Sequence, residues 1–181
     1  MKETSKAHQR RITNWAFVNR YIVGRGIDIG AGDDGLKAED WPNITEVIHY
    51  NKPNNSTAVL PYNTNEFDFV YSSNCLEHIE DTRLAIDEWL RVCKPGGHLI
   101  FTVPDFYLYE GGIWPSRWNK AHRHLFRVHD VIRMMLSVDV SIKKIELIDT
   151  DYDYEKGASV DQTLPENGAE AFIEVVVQKC L

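Results

Sequence analysis

The spacing of apolar positions changes several times along the chain, and each change marks an element. Over residues 7–22, Ile12, Trp15, Val18 and Ile22 recur at helical spacing with Arg and Lys between them, which predicts an amphipathic leading helix. "RGIDIG" (25–30) reads as a short strand ending in a glycine turn. "LKAEDWP" leaves room for about two helical turns before Pro42 stops them. "TEVIHYN" (45–51) is a second strand, and residues 52–65 are loop-like with a short strand at 57–60. "FDFVYSS" (67–73), rich in aromatic residues, is a third strand. Asp81 is placed to cap a helix whose apolar face is Ile86, Trp89, Leu90 and Cys93, ended by "KPGG". "HLIFTV" (98–103) is another buried strand, stopped by Pro104. Residues 105–128 read as loop with short helices, 128–138 as a helix, and 142–149 and 170–180 as strands joined by a polar loop.

Strands alternating with helices predict an α/β domain with a mainly parallel sheet. The last two strands have no helix between them and should pair antiparallel. Ligands of open α/β sheets sit beyond the carboxyl ends of the strands. Gly30, Asn51, Ser72 to Cys75 and Asp105 all fall at or just past such ends, so they should share one crevice.

Length and composition narrow the classes. The 181 residues suit a single domain spanning 1–181. No apolar run approaches a membrane span, and the polar start "MKETSKAHQRR" lacks the core of a secretory signal, so a cytoplasmic protein is expected. Cys75, Cys93 and Cys180 are widely spaced, against both a disulfide framework and a Cys-rich zinc site. A net charge of −7 disfavours sequence-independent nucleic-acid binding.

"GIDIGAGDDG" (26–35) spells G-x-G-x-x-G at Gly30, Gly32 and Gly35, a pattern associated with dinucleotides. Pyrophosphate wants bare amides and a helix N-terminus, and Asp33 and Asp34 would oppose it. A cationic, phosphate-free ligand such as S-adenosylmethionine fits the turn better. Glycines let the backbone approach such a ligand closely. Asp28 stands where a carboxylate could hold its amino group. The same turn could also be a tight strand-to-helix connection that holds no ligand.

"GIDIGAGDDG" together with "EFDFVYSSNCLEHIEDTRLAIDEWLRVCKPGGHLIFTVPD" resembles the small class I S-adenosylmethionine-dependent methyltransferases of the type 11 group, over about residues 24–127. "YEGGIWPSRWNKAHRHLF" (109–126) further resembles a bacterial and phage-type subgroup in which a Tyr-Glu stretch precedes N-x-x-H and a later Phe, here Asn119, His122 and Phe126. The resemblance implies a Rossmann-like three-layer sandwich with an antiparallel C-terminal strand. It also implies S-adenosylmethionine as cofactor. By position, Asp28, Gly30, Ala31 and Gly32 match its first cofactor motif, with Asp34 where the family has a third glycine. Asn51 stands where an acid usually meets the ribose, and Ser56 where an Asp usually lies near adenine. Ser72, Ser73 and Asn74 match the segment lining the methionine, and Glu77 and His78 complete "LEH". For that last pair, local hydrogen bonding at a helix start is an equal alternative to contact with the ligand.

Methyl transfer is an in-line displacement, and a hydroxyl acceptor benefits from a general base. His122 is the preferred base, with His124 and Asp105 as other candidates around the acceptor. Packing of a lid is the alternative role for His122. His122, His124 and His129 do not read as a metal set, because the segment is not a strand and no carboxylate stands at ligand spacing; no metal is expected. Arg117 and Arg123 belong to a basic stretch that either pairs with acidic surface or binds an acceptor bearing phosphate or carboxylate, such as a nucleotide sugar or acidic saccharide. The expected activity is O-methylation of a small or saccharide-type acceptor. The alternatives are a non-catalytic binding or assembly protein on an altered methyltransferase scaffold, and a nicotinamide oxidoreductase, which Asp33 and Asp34 oppose.

Overall fold

In the computed structural model, which describes residues 3–51, 59–150 and 170–181, the apolar runs assemble into one six-stranded sheet. The strands are β1 (Gly24–Ile29), β2 (Ile44–Tyr50), β3 (Phe67–Ser73), β4 (Cys93–Pro104), β5 (Val140–Thr150) and β6 (Glu170–Lys179). The helices are α1 (Glu3–Arg11), α2 (Thr82–Val92) and α3 (Val128–Leu136). The order across the sheet is β2-β1-β3-β4-β6-β5. β2, β1, β3 and β4 run parallel, and β6 is antiparallel to both of its neighbours. The α/β class, the mainly parallel sheet and the antiparallel C-terminal strand are therefore as the sequence predicts.

Side chains alternate between two faces with the period of a strand. On one face Ile27, Val70, Leu99 and Val175 lie under Ile86, Trp89 and Leu90 of α2 and Val131 and Met135 of α3. On the other, Phe69, Tyr71, Ile100 and Val176 are covered by Phe17, Ile22, Leu36 and Trp41. The result is three layers with the sheet in the middle. Asp81 caps α2 as expected, accepting from the Leu84 amide at 2.9 Å. Trp89 is 1% exposed at the centre of the first layer, and trimming it to Ala would cost about 3 to 5 kcal/mol.

The leading helix departs from its expected span. α1 ends at Arg11, and a π-helical turn follows at Phe17–Tyr21. The break sits at Asn14, whose Oδ1 accepts from the amides of Ala16 and Phe17 and so starts a new turn. Trp15 is consequently exposed, under the guanidinium of Arg20, rather than part of an apolar face. "LKAEDWP" holds a single 3-10 turn, Ala38–Asp40. β4 starts at Cys93, so "KPGG" lies within the strand and Cys93 belongs to β4 rather than to the helix. A Cβ on Gly97 would stand 2.6 Å from the Asp68 carbonyl, which explains why this bend needs glycine. Ser56, the first half of the strand expected at 57–60 and the loop before β6 lie outside the described residues, and residues 59–60 are not in a strand.

α1 is tied to the sheet by charge. Arg11, 1% exposed, donates Nε–H to Glu174 at 2.6 Å and Nη1–H to the Tyr71 hydroxyl at 2.8 Å. Arg10 and Lys144 also reach the Glu174 carboxylate. Burial alone would raise the Glu174 pKa, but these cations outweigh it and hold it at about 2.

Candidate active site

The glycine turn follows β1 at the carboxyl end of the sheet. Gly30 has φ +78° and Gly32 φ +55°, conformations that favour glycine. The two glycines serve different ends. A Cβ on Gly30 would lie 2.5 Å from Cys75 Sγ, so its bareness lets the turn pack on the segment after β3. A Cβ on Gly32 would meet nothing within 4 Å, so its bareness faces open space where a ligand can approach. Ala31 lies between them, half-buried.

Asp28 is 1% exposed at the foot of this turn. Its Oδ2 accepts from the Leu36 amide at 2.7 Å, which pins the returning loop. Its Oδ1 is buried without a hydrogen-bond partner among the described residues. Burial lifts its pKa to about 6, against the pull of the Leu36 amide and His49. Asn51 Oδ1 accepts from the Gly32 amide at 2.9 Å, so this side chain braces the glycine turn from the end of β2. An open glycine backbone above an orphaned buried carboxylate oxygen suits a ligand with a cationic amino group.

Asp34 departs from the part expected of it in the turn. Asp34 does not face a ligand crevice alone; it accepts from both the amide and the hydroxyl of Ser5, at 3.0 Å for the amide. It thereby caps the start of α1, where a negative charge meets the positive end of the helix.

After β3, Ser72 Oγ donates to the Ile29 carbonyl at 2.8 Å and joins β3 to β1 at the crevice floor. Ser73 and Thr102 share a hydroxyl hydrogen bond, and Thr102 donates to Asn74 Oδ1, both at 3.2 Å. Asn74 takes φ +48°, which turns the chain into the 3-10 turn Leu76–His78. Leu76, fully buried, anchors that turn in the core.

The segment after β4 folds back onto it. Asp105 Oδ1 accepts from the amides of Tyr107 and Leu108, and so shapes the start of the segment. The amides of Arg123 and His124 donate to the Glu77 carbonyl at 2.8 and 3.2 Å. These bonds bring four side chains together. His122 Nδ1 lies 2.7 Å from Glu110 Oε1, both buried. His78 Nδ1 lies 3.0 Å from the Ala121 carbonyl, and its ring meets that of His122 edge-on at 4.9 Å. Glu77, 1% exposed, has no hydrogen-bond partner for either carboxylate oxygen in another described residue. Burial, and then Glu110, raise its pKa to about 8. His78 is shifted the other way, downward, by burial and then by His122.

Glu77 and Glu110 were not among the site residues chosen from sequence, although both stand in quoted motifs, "LEH" and the Tyr-Glu stretch. Tyr109 lies 5.7 Å from the His122 ring and the Asn119 carbonyl accepts from the His122 amide, so these parts of the 109–126 motif adjoin His122, whereas the Phe126 ring meets that of His124. The grouping of His122, His124 and His129 dissolves. His124 Nε2 meets the Glu80 carbonyl at 3.2 Å, and His129 pairs with Asp130 at 3.1 Å. The carboxylate absent from the local sequence is supplied by Glu77, from another segment. Arg117 and Arg123 are exposed, Arg117 lying over the Trp118 ring.

Comparisons with known proteins bear on the fold. The family described as "Methyltransferase domain" matches residues 27–101. A phosphoethanolamine N-methyltransferase 2 of Caenorhabditis elegans is 36% identical over 45 residues, 25% of this chain and 10% of that protein. The chain therefore spans a small part of that relative. Among solved structures, the YcgJ protein of Bacillus subtilis superposes with a TM-score of 0.64 at 16% identity, covering 99% of this chain and 100% of that one. Phosphoethanolamine N-methyltransferase 2 of Haemonchus contortus, solved with phosphomonomethylethanolamine and S-adenosylhomocysteine, gives 0.64 at 14% identity, over 96% of this chain and 53% of that one. No helix among the described residues is long and apolar enough to cross a membrane. Over residues 27–101, from β1 into β4, the chain matches the methyltransferase-domain family, and its sheet order and solved neighbours give it the Rossmann-like, class I methyltransferase fold.

Proposed function

We propose that residues 1–181 form one domain that methylates an oxygen of a small or saccharide-type acceptor. The observation that carries this reading is the convergence of two features at one end of the sheet: a glycine turn open at Gly32, and a buried His122–Glu110 pair. When bound, S-adenosylmethionine supplies an electrophilic methyl group on a sulfonium. Gly30 and Gly32 would admit its methionine part, with Asp28 Oδ1 holding the amino group. Ser73 and Asn74 would line the same part, and the Asn51 amide nitrogen would reach the ribose.

His122 would act on the acceptor hydroxyl. The Glu110 carboxylate at its Nδ1 fixes the proton there and leaves the Nε2 lone pair as the basic atom of the site. Positioning supplies much of the remaining acceleration, because the acceptor must stand in line behind the methyl. The exposed Arg117 and Arg123 flank His122 in sequence and suit a phosphate or carboxylate on the acceptor. His124 and Asp105 would support the acceptor region through the backbone bonds described above. The free thiols Cys75, Cys93 and Cys180 suit a reducing, cytoplasmic setting.

The 45-residue likeness to a phosphoethanolamine N-methyltransferase favours a second reading, an amine acceptor carrying phosphate. Release of S-adenosylhomocysteine, assayed against nucleotide sugars, acidic saccharides and phosphoethanolamine, separates the two. A sugar methyl ether supports the oxygen reading, and turnover of phosphoethanolamine alone replaces it with the amine reading. Absence of turnover together with absence of cofactor binding would favour a binding or assembly role.

A further inference from the structure

Glu77, His78 and His122 offer three ligand atoms, all within 4.8 Å of one another. Glu77 is 1% exposed, and neither of its carboxylate oxygens has a hydrogen-bond partner in another described residue. A buried carboxylate without a donor is costly, and a cation is the partner that repairs it. The two histidines are arranged to present lone pairs toward it. The Ala121 carbonyl faces Nδ1 of His78 and Glu110 Oε1 faces Nδ1 of His122, at 3.0 and 2.7 Å. Each oxygen accepts a proton held on Nδ1, so each Nε2 carries the free lone pair. Both Nε2 atoms then converge on one oxygen, Glu77 Oε1, at 3.7 Å from His78 and 4.0 Å from His122. At these lengths neither contact is a hydrogen bond.

We infer that Glu77, His78 and His122 bind a divalent transition-metal ion of the zinc class, with Glu110 positioning His122. Metal–nitrogen and metal–oxygen bonds of roughly 2.0 to 2.2 Å in a tetrahedron set ligand atoms about 3.4 Å apart. The separations from Glu77, 3.7 and 4.0 Å, exceed that value, and the three ligand atoms lie within 4.8 Å of one another, so side-chain rotation would draw the set together around an ion. Two histidines and one carboxylate are a familiar set for such ions and leave a coordination position open. The Glu110–His122 contact has the form of the outer carboxylate that orients a metal-bound imidazole. The backbone holds the set in place, because the Arg123 and His124 amides donate to the carbonyl of Glu77 itself.

Resting on the proposed function, the open position would take the acceptor hydroxyl. The cation would lower that hydroxyl's pKa. With the ion bound, His122 Nε2 is a ligand in place of the base, and the proton of the bound hydroxyl passes to water as its oxygen takes the methyl group. Metal binding itself can be tested apart from that reading.

The test is a titration of the chelator-treated full chain with Co²⁺ and with Zn²⁺, following the visible bands of Co²⁺ and competition with a chromophoric chelator. Wild type should bind one equivalent, and tetrahedral-type Co²⁺ bands should be displaced by Zn²⁺. Glu77→Gln and His78→Gln should each weaken binding at least about 10-fold while circular dichroism remains that of wild type, and Glu110→Gln should weaken it about 10- to 100-fold. No saturable binding to wild type, or unchanged binding in folded Glu77→Gln and His78→Gln, overturns the inference. If one variant unfolds, the other and the wild-type titration still decide. Calorimetry with S-adenosylhomocysteine on the same sample separates failure of the metal site from failure of the methyltransferase reading.

Discussion

His122 Nδ1 and Glu110 Oε1 stand 2.7 Å apart, with both side chains almost wholly out of solvent. The contact crosses a loop and holds the imidazole in one tautomer, with Nε2 as its free lone pair. His122→Ala should lower kcat by about 100-fold or more, in the range expected for loss of an acid–base group. Glu110→Gln should lower it less and leave S-adenosylhomocysteine affinity unchanged. Steady-state kinetics beside calorimetry check both, and a wild-type kcat in folded His122→Ala would remove His122 from the reaction.

Gly30 and Gly32 should respond differently to the same substitution. Gly30→Ala sets a Cβ against Cys75 Sγ at positive φ, so it should destabilise the fold by more than the roughly 1 to 2 kcal/mol of the conformation alone. Gly32→Ala bears only that conformational cost, because its Cβ meets no atom. It should fold close to normally yet bind cofactor more than 10-fold more weakly. Denaturant melts and calorimetry on the pair separate a packing glycine from a ligand-facing one.

Asp28 links cofactor binding to pH. Its pKa in the fold is about 6, above the ordinary 3.8, so its contribution to folding stability is full below pH 3.8 and is lost as pH rises through 6. Binding should run the other way, since an ammonium needs the ionised carboxylate. S-adenosylhomocysteine affinity should fall as pH is lowered through about 6. Asp28→Asn should weaken binding and flatten that dependence, and a wild-type pH profile in the variant would contradict the assignment.

Glu174 should dominate the acid limb of stability. Its pKa is lowered from 4.5 to about 2, so its stabilisation is present above pH 4.5 and lost as pH falls toward 2. The shift corresponds to stabilisation on the order of 3 kcal/mol. Urea melts from pH 6 down to pH 2 should lose about that much in wild type, and the dependence should be shallower in Glu174→Gln. Equal slopes in the two proteins would place the acid sensitivity elsewhere.

Which features were legible in the sequence follows from the range of the interactions that make them. β1, β3 and the core of β4 are buried on both faces, so their apolar runs announce them locally, and Asp81 lies only three residues from the Leu84 amide it caps. The break at Asn14 depends on one side chain preferring two amides to a continued helix, which apolar spacing does not register. Asp34 acts on Ser5, 29 residues away, and so looked like part of a ligand loop. His122 could be singled out by its motif. Its partners Glu110 and Glu77 come from either side of β4, and only the folded sheet brings them to it.

The most direct measurement is calorimetric titration of the purified chain with S-adenosylhomocysteine and, separately, with NAD. Saturable one-to-one binding of the first, lost in Gly32→Ala, with no heat from NAD, is the predicted result. Tight binding of NAD by protein that ignores S-adenosylhomocysteine would contradict the account at its root.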